Sequence, residues 1–380
     1  MNILIVPSWY TGYDNVEGNE GIFHYEQAAE MSREHNVAIY FPFDRAMPQN
    51  FSVEKERDIL TFRSKYVRSQ RIRNRIRIYK AFKEVFNKFK PDIVHTHVAT
   101  EAGRYAALWC SFFHIPFIVT EHSTVEVSGV ELQSVARLYA NYVYKLSKAN
   151  FCVSEDLQNK LSSIFPKYSF KVMYNGISMP PVFESVNKYR KEDCCNIALV
   201  ASFYDKKIKG IQFLLPALQR LIEEKQSVIL HLLGGGEYEV YYKEMAAKLE
   251  IAEYVIFYGE CEKRKVYEVV KQMDFLVSAS LVESFGCSLA EALLLGKPVL
   301  ATRCGGPEGF VNKNVGVLVE KGSVQALYDG IIEMMRRKDE FQRNDIYYYA
   351  MERFNIEMIC RKYVEVYQQN MRATGSYSNN

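Results

Sequence analysis

Glu283 and Glu291 frame the segment Glu283-Ser284-Phe285-Gly286-Cys287-Ser288-Leu289-Ala290-Glu291, which follows the strand-like run FLVSAS (275–280). Leu289, Ala290, Leu293 and Leu294 recur at i, i+1, i+4 and i+5, the spacing of an apolar helix face, and Gly296 and Pro298 end that helix. Glu283 therefore falls on a loop and Glu291 about one turn into a helix. A helix N-terminus presents backbone N–H groups and a partial positive charge, which suits phosphate. A carboxylate on either side of a bound diphosphate can accept hydrogen bonds from sugar hydroxyls. Phosphate flanked by two polyols describes a nucleotide-sugar.

Other strand ends carry chemistry of the same kind. His122 closes the run PFIVTEH (116–122), and His95 and His97 end DIVHTH (92–97). In a parallel sheet such ends line the ligand crevice, where an imidazole can donate to a sugar hydroxyl. Lys206, Lys207 and Lys209 precede Gly210 after the run CNIALVASF (195–203), and cations there can neutralise a leaving diphosphate. Glycine-bearing turns stand at Gly18-Asn19-Glu20-Gly21, in HLLGGGEYE (231–239) and at Cys304-Gly305-Gly306-Pro307-Glu308-Gly309. Each allows close approach to a phosphate, with a plain surface turn as the competing reading. The second lacks the third glycine of a dinucleotide fingerprint, which argues against a nicotinamide cofactor. There is no D-x-D, H-E-x-x-H, G-x-S-x-G or G-x-x-x-x-G-K-[ST]. A metal-bridged diphosphate is not indicated. No metal and no cofactor are expected.

The elements that must position these residues alternate between strand and helix throughout the 380 residues. Strands are expected at 2–8, 36–41, 92–97, 116–122, 149–154 and 170–177, with helices at Phe23–Glu34, Arg71–Phe89, Ala102–Phe113, Val135–Lys148 and Asp156–Ile164. After a Pro-containing, aperiodic stretch the alternation restarts, with strands at 195–203, 228–234, 254–259, 275–280, 298–303 and 315–320. This predicts an α/β chain of two doubly wound Rossmann-like domains facing a cleft: 1–178, a linker at 179–194, and 195–354. A helical pattern over 355–371 can cross back onto the first domain, and 372–380 reads as a frayed tail. Eight scattered cysteines without a CxxC pair, no membrane-length apolar run and no basic leader at the N-terminus point to a reduced, cytoplasmic setting.

Net charge is only +3, yet Thr61–Lys90 holds eleven Lys or Arg, from Arg63 and Lys65 to Lys90, against the single acid Glu84. Within it Ile72, Ile76, Tyr79, Phe82, Phe86 and Phe89 form one helical stripe, most of which is expected to pack on the sheet. Arg71, Arg73, Arg75, Arg77 and Lys80 would then face outward. They would meet an anionic membrane surface or a lipid-linked acceptor. No base-reading motif accompanies them, so nucleic acid is not expected as a partner.

Taken in order, these segments resemble glycosyltransferase family 4, whose fold is GT-B, over nearly the whole chain. NILIVPSW with GIFHYEQAAEMSREHNVAIY, DIVHTH, FIVTEH, VSEDLQNKL and VMYNGI look like the family's N-terminal domain. KGIQFLLPAL, LHLLGGGEYE, VIFYGECEK, ESFGCSLAEALLLGKPVLATRCGGPEGFV and GVLVEKGSVQALYDGI are similar to its C-terminal domain. The resemblance implies a retaining, metal-independent transfer of a hexose-type sugar from a UDP- or GDP-linked donor to a glycan or lipid-linked acceptor in polysaccharide assembly. It implies that Glu291 binds the ribose, Glu283 and His122 contact the moving sugar, and Lys209 and Gly21 lie near the diphosphate. The amides from Phe285 to Leu289, with Ser284, Gly286, Cys287 and Ser288, would meet sugar and phosphate, and Tyr258 to Glu260 the base. Many family members carry an Arg six or seven positions before the lysine; Phe203 and Ser202 stand there in this chain. Lys206 or Lys207 would have to supply the second cation. The competing readings are a non-catalytic binder of a nucleotide-sugar or membrane surface, and a nucleotide-sugar epimerase.

Overall fold

A computed structural model describes residues 1–16, 20–122, 134–179, 188–204 and 208–375. Gly18, Lys206, Lys207, half of the linker stretch (180–187) and the last tail residues lie outside these. Two compact units emerge, Met1–Ser178 with Ile356–Asn380, and Met179–Asn355.

The first unit runs β1 (Asn2–Val6), α1 (Ile22–Met31), β2 (Asn36–Asp44), β3 (Phe51–Glu56), β4 (Ile59–Lys65), α2 (Arg71–Phe89), β5 (Ile93–His97), α3 (Arg104–Phe113), β6 (Phe117–Glu121), α4 (Ser134–Leu146), β7 (Asn150–Cys152), α5 (Glu155–Ile164) and β8 (Phe170–Val172). Its sheet has the order β3-β4-β2-β1-β5-β6-β7-β8, parallel except for β3 against β4. Strand order changes direction between β1 and β5, so right-handed crossovers put α1 on one face and α2 to α5 on the other. Strands buried on both faces read as the near-continuous apolar runs seen in β1 and β6.

The β3–β4 hairpin corrects the sequence-based reading, which placed no strand there. Its two-residue turn, Arg57-Asp58, holds both residues at positive φ without a glycine. Arg63 is not a surface cation: it is fully buried, donates to both carboxylate oxygens of Glu56 at 2.7 Å and reaches Asp44 at 2.6 Å. The expected stripe on α2 also divides. Asn74, Ile78, Ala81, Phe82, Val85, Phe86 and Phe89 are buried, whereas Ile72, Ile76 and Tyr79 are exposed. Asn74 takes an inward position because its side chain brackets the preceding loop, accepting from Val67 N–H and donating to Val67 C=O.

The second unit runs β9 (Cys195–Val200), α6 (Ile211–Glu223), β10 (Val228–Leu233), α7 (Glu239–Lys248), β11 (Val255–Phe257), α8 (Lys263–Val270), β12 (Phe275–Ser278), α9 (Cys287–Leu294), β13 (Val299–Thr302), β14 (Gly316–Val319), α10 (Val324–Arg336) and α11 (Arg343–Phe354). All six strands are parallel in the order β11-β10-β9-β12-β13-β14, with the reversal between β9 and β12. Its core joins Ile197, Leu199, Leu214, Leu218, Leu230 and Phe275 from both sheet and helices. The chain then returns to the first unit in α12 (Ile356–Gly375), whose Ile359, Cys360, Tyr363 and Tyr367 complete the core beneath β1 and β5.

Candidate functional site

In a doubly wound sheet the ligand crevice opens where strand order reverses, at the carboxyl ends of the strands. In the second unit those ends belong to β9 and β12, and the loops that follow them carry Lys209 and Glu283. Gly210 brings the two loops together. It caps α6 at φ 67°, and a Cβ there would lie 1.8 Å from the Ala279 carbonyl oxygen. Only glycine lets the start of α6 press against the end of β12. Leu281 N–H adds a hydrogen bond to Ile208 C=O at 2.7 Å. Lys209 Nζ then meets Glu283 Oε1 at 2.6 Å, and the same oxygen accepts from Ser280 Oγ at 2.9 Å. Both charged side chains remain partly open to solvent.

The backbone of Glu283 is tied to the neighbouring loop. Glu283 N–H donates to Cys304 C=O, and Gly306 N–H donates to Glu283 C=O at 2.8 Å. Gly306 fits because a Cβ would fall 2.5 Å from Phe285 Cα. Phe285 itself is a core anchor against Phe310 and Phe354, and Leu289 is fully buried. Their side chains are thus spent on packing, leaving only their backbone to face a ligand. Cys287 is exposed, and Ser284 and Ser288 are solvent-accessible. Helix α9 starts from Gly286 at φ 99° with no side-chain cap and no acid in its first turn, so its positive end is not neutralised from within.

Glu291 lies on α9, where its Oε1 accepts from Tyr267 Oη at 3.0 Å and has Lys263 Nζ at 3.5 Å. Tyr267 and Lys263, both on α8, escaped the sequence reading: a Lys and a Tyr one turn apart on a helix carry no motif. At the neighbouring strand ends Gly234 N–H donates to Gly259 C=O at 2.9 Å, and Gly235 packs against the backbone of Glu260. Tyr258 stacks on His231, their polar atoms 3.0 Å apart. Burial, helped by Lys191, pushes His231 down to about 4, and burial raises Tyr258 to about 12, so both are neutral near pH 7. Glu260 is exposed. Phe203 is buried against Tyr242, and Ser202 is exposed; neither position supplies a cation.

The first unit gathers a second set at its own reversal point. Gly21 caps α1 at φ 65°, where a Cβ would lie 2.8 Å from Trp9 C=O. His97 Nδ1 and His122 Nε2 are 2.7 Å apart, and the rings of Trp9, Phe23 and His24 surround them. Burial lowers His122 to about 3 and His97 well below its ordinary value, so the pair is neutral, one ring donating and the other accepting. His122 Nδ1 has no hydrogen-bond partner among the described residues. His95 does not share this character. Its ring nitrogens face Tyr367 Oη at 2.7 Å and Thr120 Oγ1 at 2.8 Å, so it joins α12 to the sheet.

Two parallel-sheet Rossmann-like units with such strand-end sites define a GT-B glycosyltransferase. Residues 22–179 match the model described as Glycosyltransferase Family 4, and residues 183–353 match Glycosyl transferases group 1. The chain belongs to the family 4 glycosyltransferases. It is 26% identical over 307 residues to the N-acetyl-alpha-D-glucosaminyl L-malate synthase of Bacillus anthracis, covering 76% of this chain and 77% of that one. Among solved structures it is similar to the sucrose-phosphate synthase of Thermosynechococcus elongatus, with a TM-score of 0.81 at 17% identity over 98% of this chain and 99% of that one. It is also similar to Anabaena Alr3699/HepE in complex with UDP, with a TM-score of 0.76 at 18% identity, covering 97% and 100%.

Proposed function

We propose that this glycosyltransferase moves a hexose-type sugar from a UDP- or GDP-sugar, with retention at the anomeric carbon and without a metal, to a glycan or lipid-linked acceptor. The observation that carries the reading is the meeting of Lys209 and Glu283 beside the open N-terminus of α9, with Glu291 held further along the same helix. In this reading the diphosphate takes Lys209 and the N–H groups of α9, which supply the positive charge as the leaving group develops. Glu283, released from Lys209, accepts from hydroxyls of the moving sugar, and Glu291 accepts from the ribose. Tyr258 and Glu260 lie near the base, and Gly21 and His122 are the first unit's own candidate contacts for phosphate and sugar.

The bond from the anomeric carbon to the diphosphate oxygen breaks, and the acceptor hydroxyl oxygen bonds to that carbon on the same face. The acceptor proton passes to the departing phosphate oxygen, so no side chain has to serve as base. Among relatives, the likeness to the N-acetyl-alpha-D-glucosaminyl L-malate synthase of Bacillus anthracis supports a sugar-transfer role, and the UDP complex of the Anabaena protein supports a uridine donor. The basic helix α2 supports peripheral attachment at the inner, anionic face of the cytoplasmic membrane, where a lipid-linked glycan would be extended. No described helix is long and apolar enough to cross a membrane.

The test is transfer from each nucleotide-sugar to a lipid-linked acceptor, with the product's anomeric configuration read by NMR. Retained configuration, unaffected by a chelator, is the expected result; inversion or a metal requirement would contradict it.

A further inference from the structure

Helices α2, α3 and α4 form consecutive members of one layer on one face of the first sheet, α2 packing on α3 and α3 on α4. Each turns apolar side chains outward. On α2, Ile72, Ile76 and Tyr79 recur at i, i+4 and i+7, with Ile72 76% exposed. On α3, Leu108 and Phe112 recur at i and i+4, Phe112 being 72% exposed. On α4, Val135, Leu138 and Tyr142 recur at i, i+3 and i+7, Leu138 being 69% exposed. Tyr79 packs against Trp109 with ring centroids 4.7 Å apart and the rings tilted by 45°, and Trp109 contacts Phe112, so the outer rows of α2 and α3 adjoin. Three neighbouring helices with outward apolar rows exceed the single scattered residues normal on a surface.

Cations accompany the α2 row. Arg71, Arg73, Arg75, Lys80 and Lys83 are exposed and make no ion pair among the described residues. Arg77 differs, its guanidinium being held by Asn50, Asn74 and Gln70. At helical spacing Arg73, Lys80 and Lys83 fall on the same outward half of the helix as Ile72 and Ile76.

We infer that the outer face of α2, α3 and α4 docks on an anionic lipid bilayer, its aliphatic and aromatic side chains entering the headgroup layer while the α2 cations meet lipid phosphates. This rests on, and deepens, the reading of peripheral attachment above. Three features favour this occupant. Apolar and cationic side chains share one face, as in helices that lie in a membrane interface. A second copy meeting the same face by two-fold symmetry would set these cations against each other. The apolar side chains stand out individually from three helices. A fluid headgroup layer accommodates such projections, whereas a protein partner would need a matching pocket for each.

The experiment is flotation of the full chain with phosphatidylcholine vesicles and with mixed phosphatidylcholine–phosphatidylglycerol vesicles, at low and high salt. Four proteins are compared: wild type, the triple variant R73Q/K80Q/K83Q, the triple variant I72S/I76S/F112S, and E291A. Circular dichroism and sugar-nucleotide binding confirm that the surface variants are folded. Wild type and E291A are expected to float with the anionic vesicles, because the donor site is not involved. The cation variant should lose on the order of a hundredfold in partitioning, from about fivefold per charge. The apolar variant should lose binding that high salt does not already remove. Wild type that fails to float on anionic vesicles overturns both this inference and the attachment reading. Flotation equal to wild type in the apolar variant overturns the inference alone and leaves purely electrostatic attachment. A wild-type dimer that I72S/I76S/F112S turns into a monomer, with no vesicle binding, assigns the face to a second copy instead.

Discussion

Lys209 and Glu283 reach one point from two strands that are neighbours in the sheet but not in sequence: across 74 positions, Lys209 Nζ donates to Glu283 Oε1 at 2.6 Å. The contact ties the end of β9 to the end of β12 at the reversal of strand order. Each charge satisfies the other, and under the proposed function a donor separates them. Replacing Lys209 with Met or Glu283 with Gln removes a charge-assisted hydrogen bond of the loaded state. Each should lower kcat/KM by roughly 10- to 100-fold, about 1.5–3 kcal/mol. The double variant should lose less than the sum of the two, since they act through one cluster. Strict additivity in the steady-state cycle would separate the two roles.

Gly210 is the backbone condition for that meeting. Ala at this position would combine an αL backbone with a Cβ 1.8 Å from Ala279 C=O. The expected loss of stability is on the order of 3 kcal/mol. Gly322 serves as the control. It also has φ 70°, but its nearest neighbour to a new Cβ is a Leu281 side-chain carbon at 3.5 Å. Gly322→Ala should cost only about 1 kcal/mol. Equal losses in thermal unfolding would show that the close approach at Gly210 is not what matters.

Tyr267 donates to Glu291 Oε1 at 3.0 Å, and under the proposed function it is a positioning residue. Tyr267→Phe should weaken donor binding by about fivefold, near 1 kcal/mol, and leave kcat close to wild type. Titration calorimetry with the nucleotide-sugar, set beside steady-state kinetics, separates the two. A fall in kcat with unchanged affinity would contradict this assignment.

The histidines of the first unit predict an acid sensitivity. Burial holds His95 and His122 down to about 3 in the folded chain, against an ordinary value of 6.5. Between those limits the unfolded chain binds protons that the folded one refuses, so stability rises with pH there and is lost as pH falls below 6.5. The slope is up to roughly 1.4 kcal/mol per pH unit for each such ring. Urea unfolding should therefore show a lower midpoint near pH 5 than near pH 7, and His95→Gln should flatten the difference. A pH-independent midpoint over that range would contradict the buried, neutral assignment.

Periodicity and strand-end chemistry made the α/β alternation and the segment from Glu283 to Glu291 legible, because parallel strands buried on both faces are continuous apolar runs. The β3–β4 hairpin was not legible. Its Arg63 pairs with Glu56 across the hairpin and with Asp44 on β2, and its turn uses Arg57-Asp58 where a glycine or asparagine would have signalled it. Helix α2 misled for a related reason. It carries two apolar rows, and the sequence alone favoured one that mixes buried Phe82, Phe86 and Phe89 with exposed Ile72, Ile76 and Tyr79. The supports of the site, Tyr267 on Glu291 and Ser280 on Glu283, depend on tertiary contacts with no fixed spacing.

The most direct test of the central claim, that the mouth of α9 binds a nucleotide-sugar, is a thermal-shift titration of wild type and Glu291→Ala with UDP-, GDP- and ADP-sugars. A ligand that binds only the folded state raises its stability by mass action, about 2.7 kcal/mol at a hundredfold excess over Kd. A saturable rise in Tm of the wild type with one uridine or guanosine donor, largely lost in Glu291→Ala, is the expected result. Equal shifts in both proteins, or no shift with any nucleotide-sugar, would contradict it.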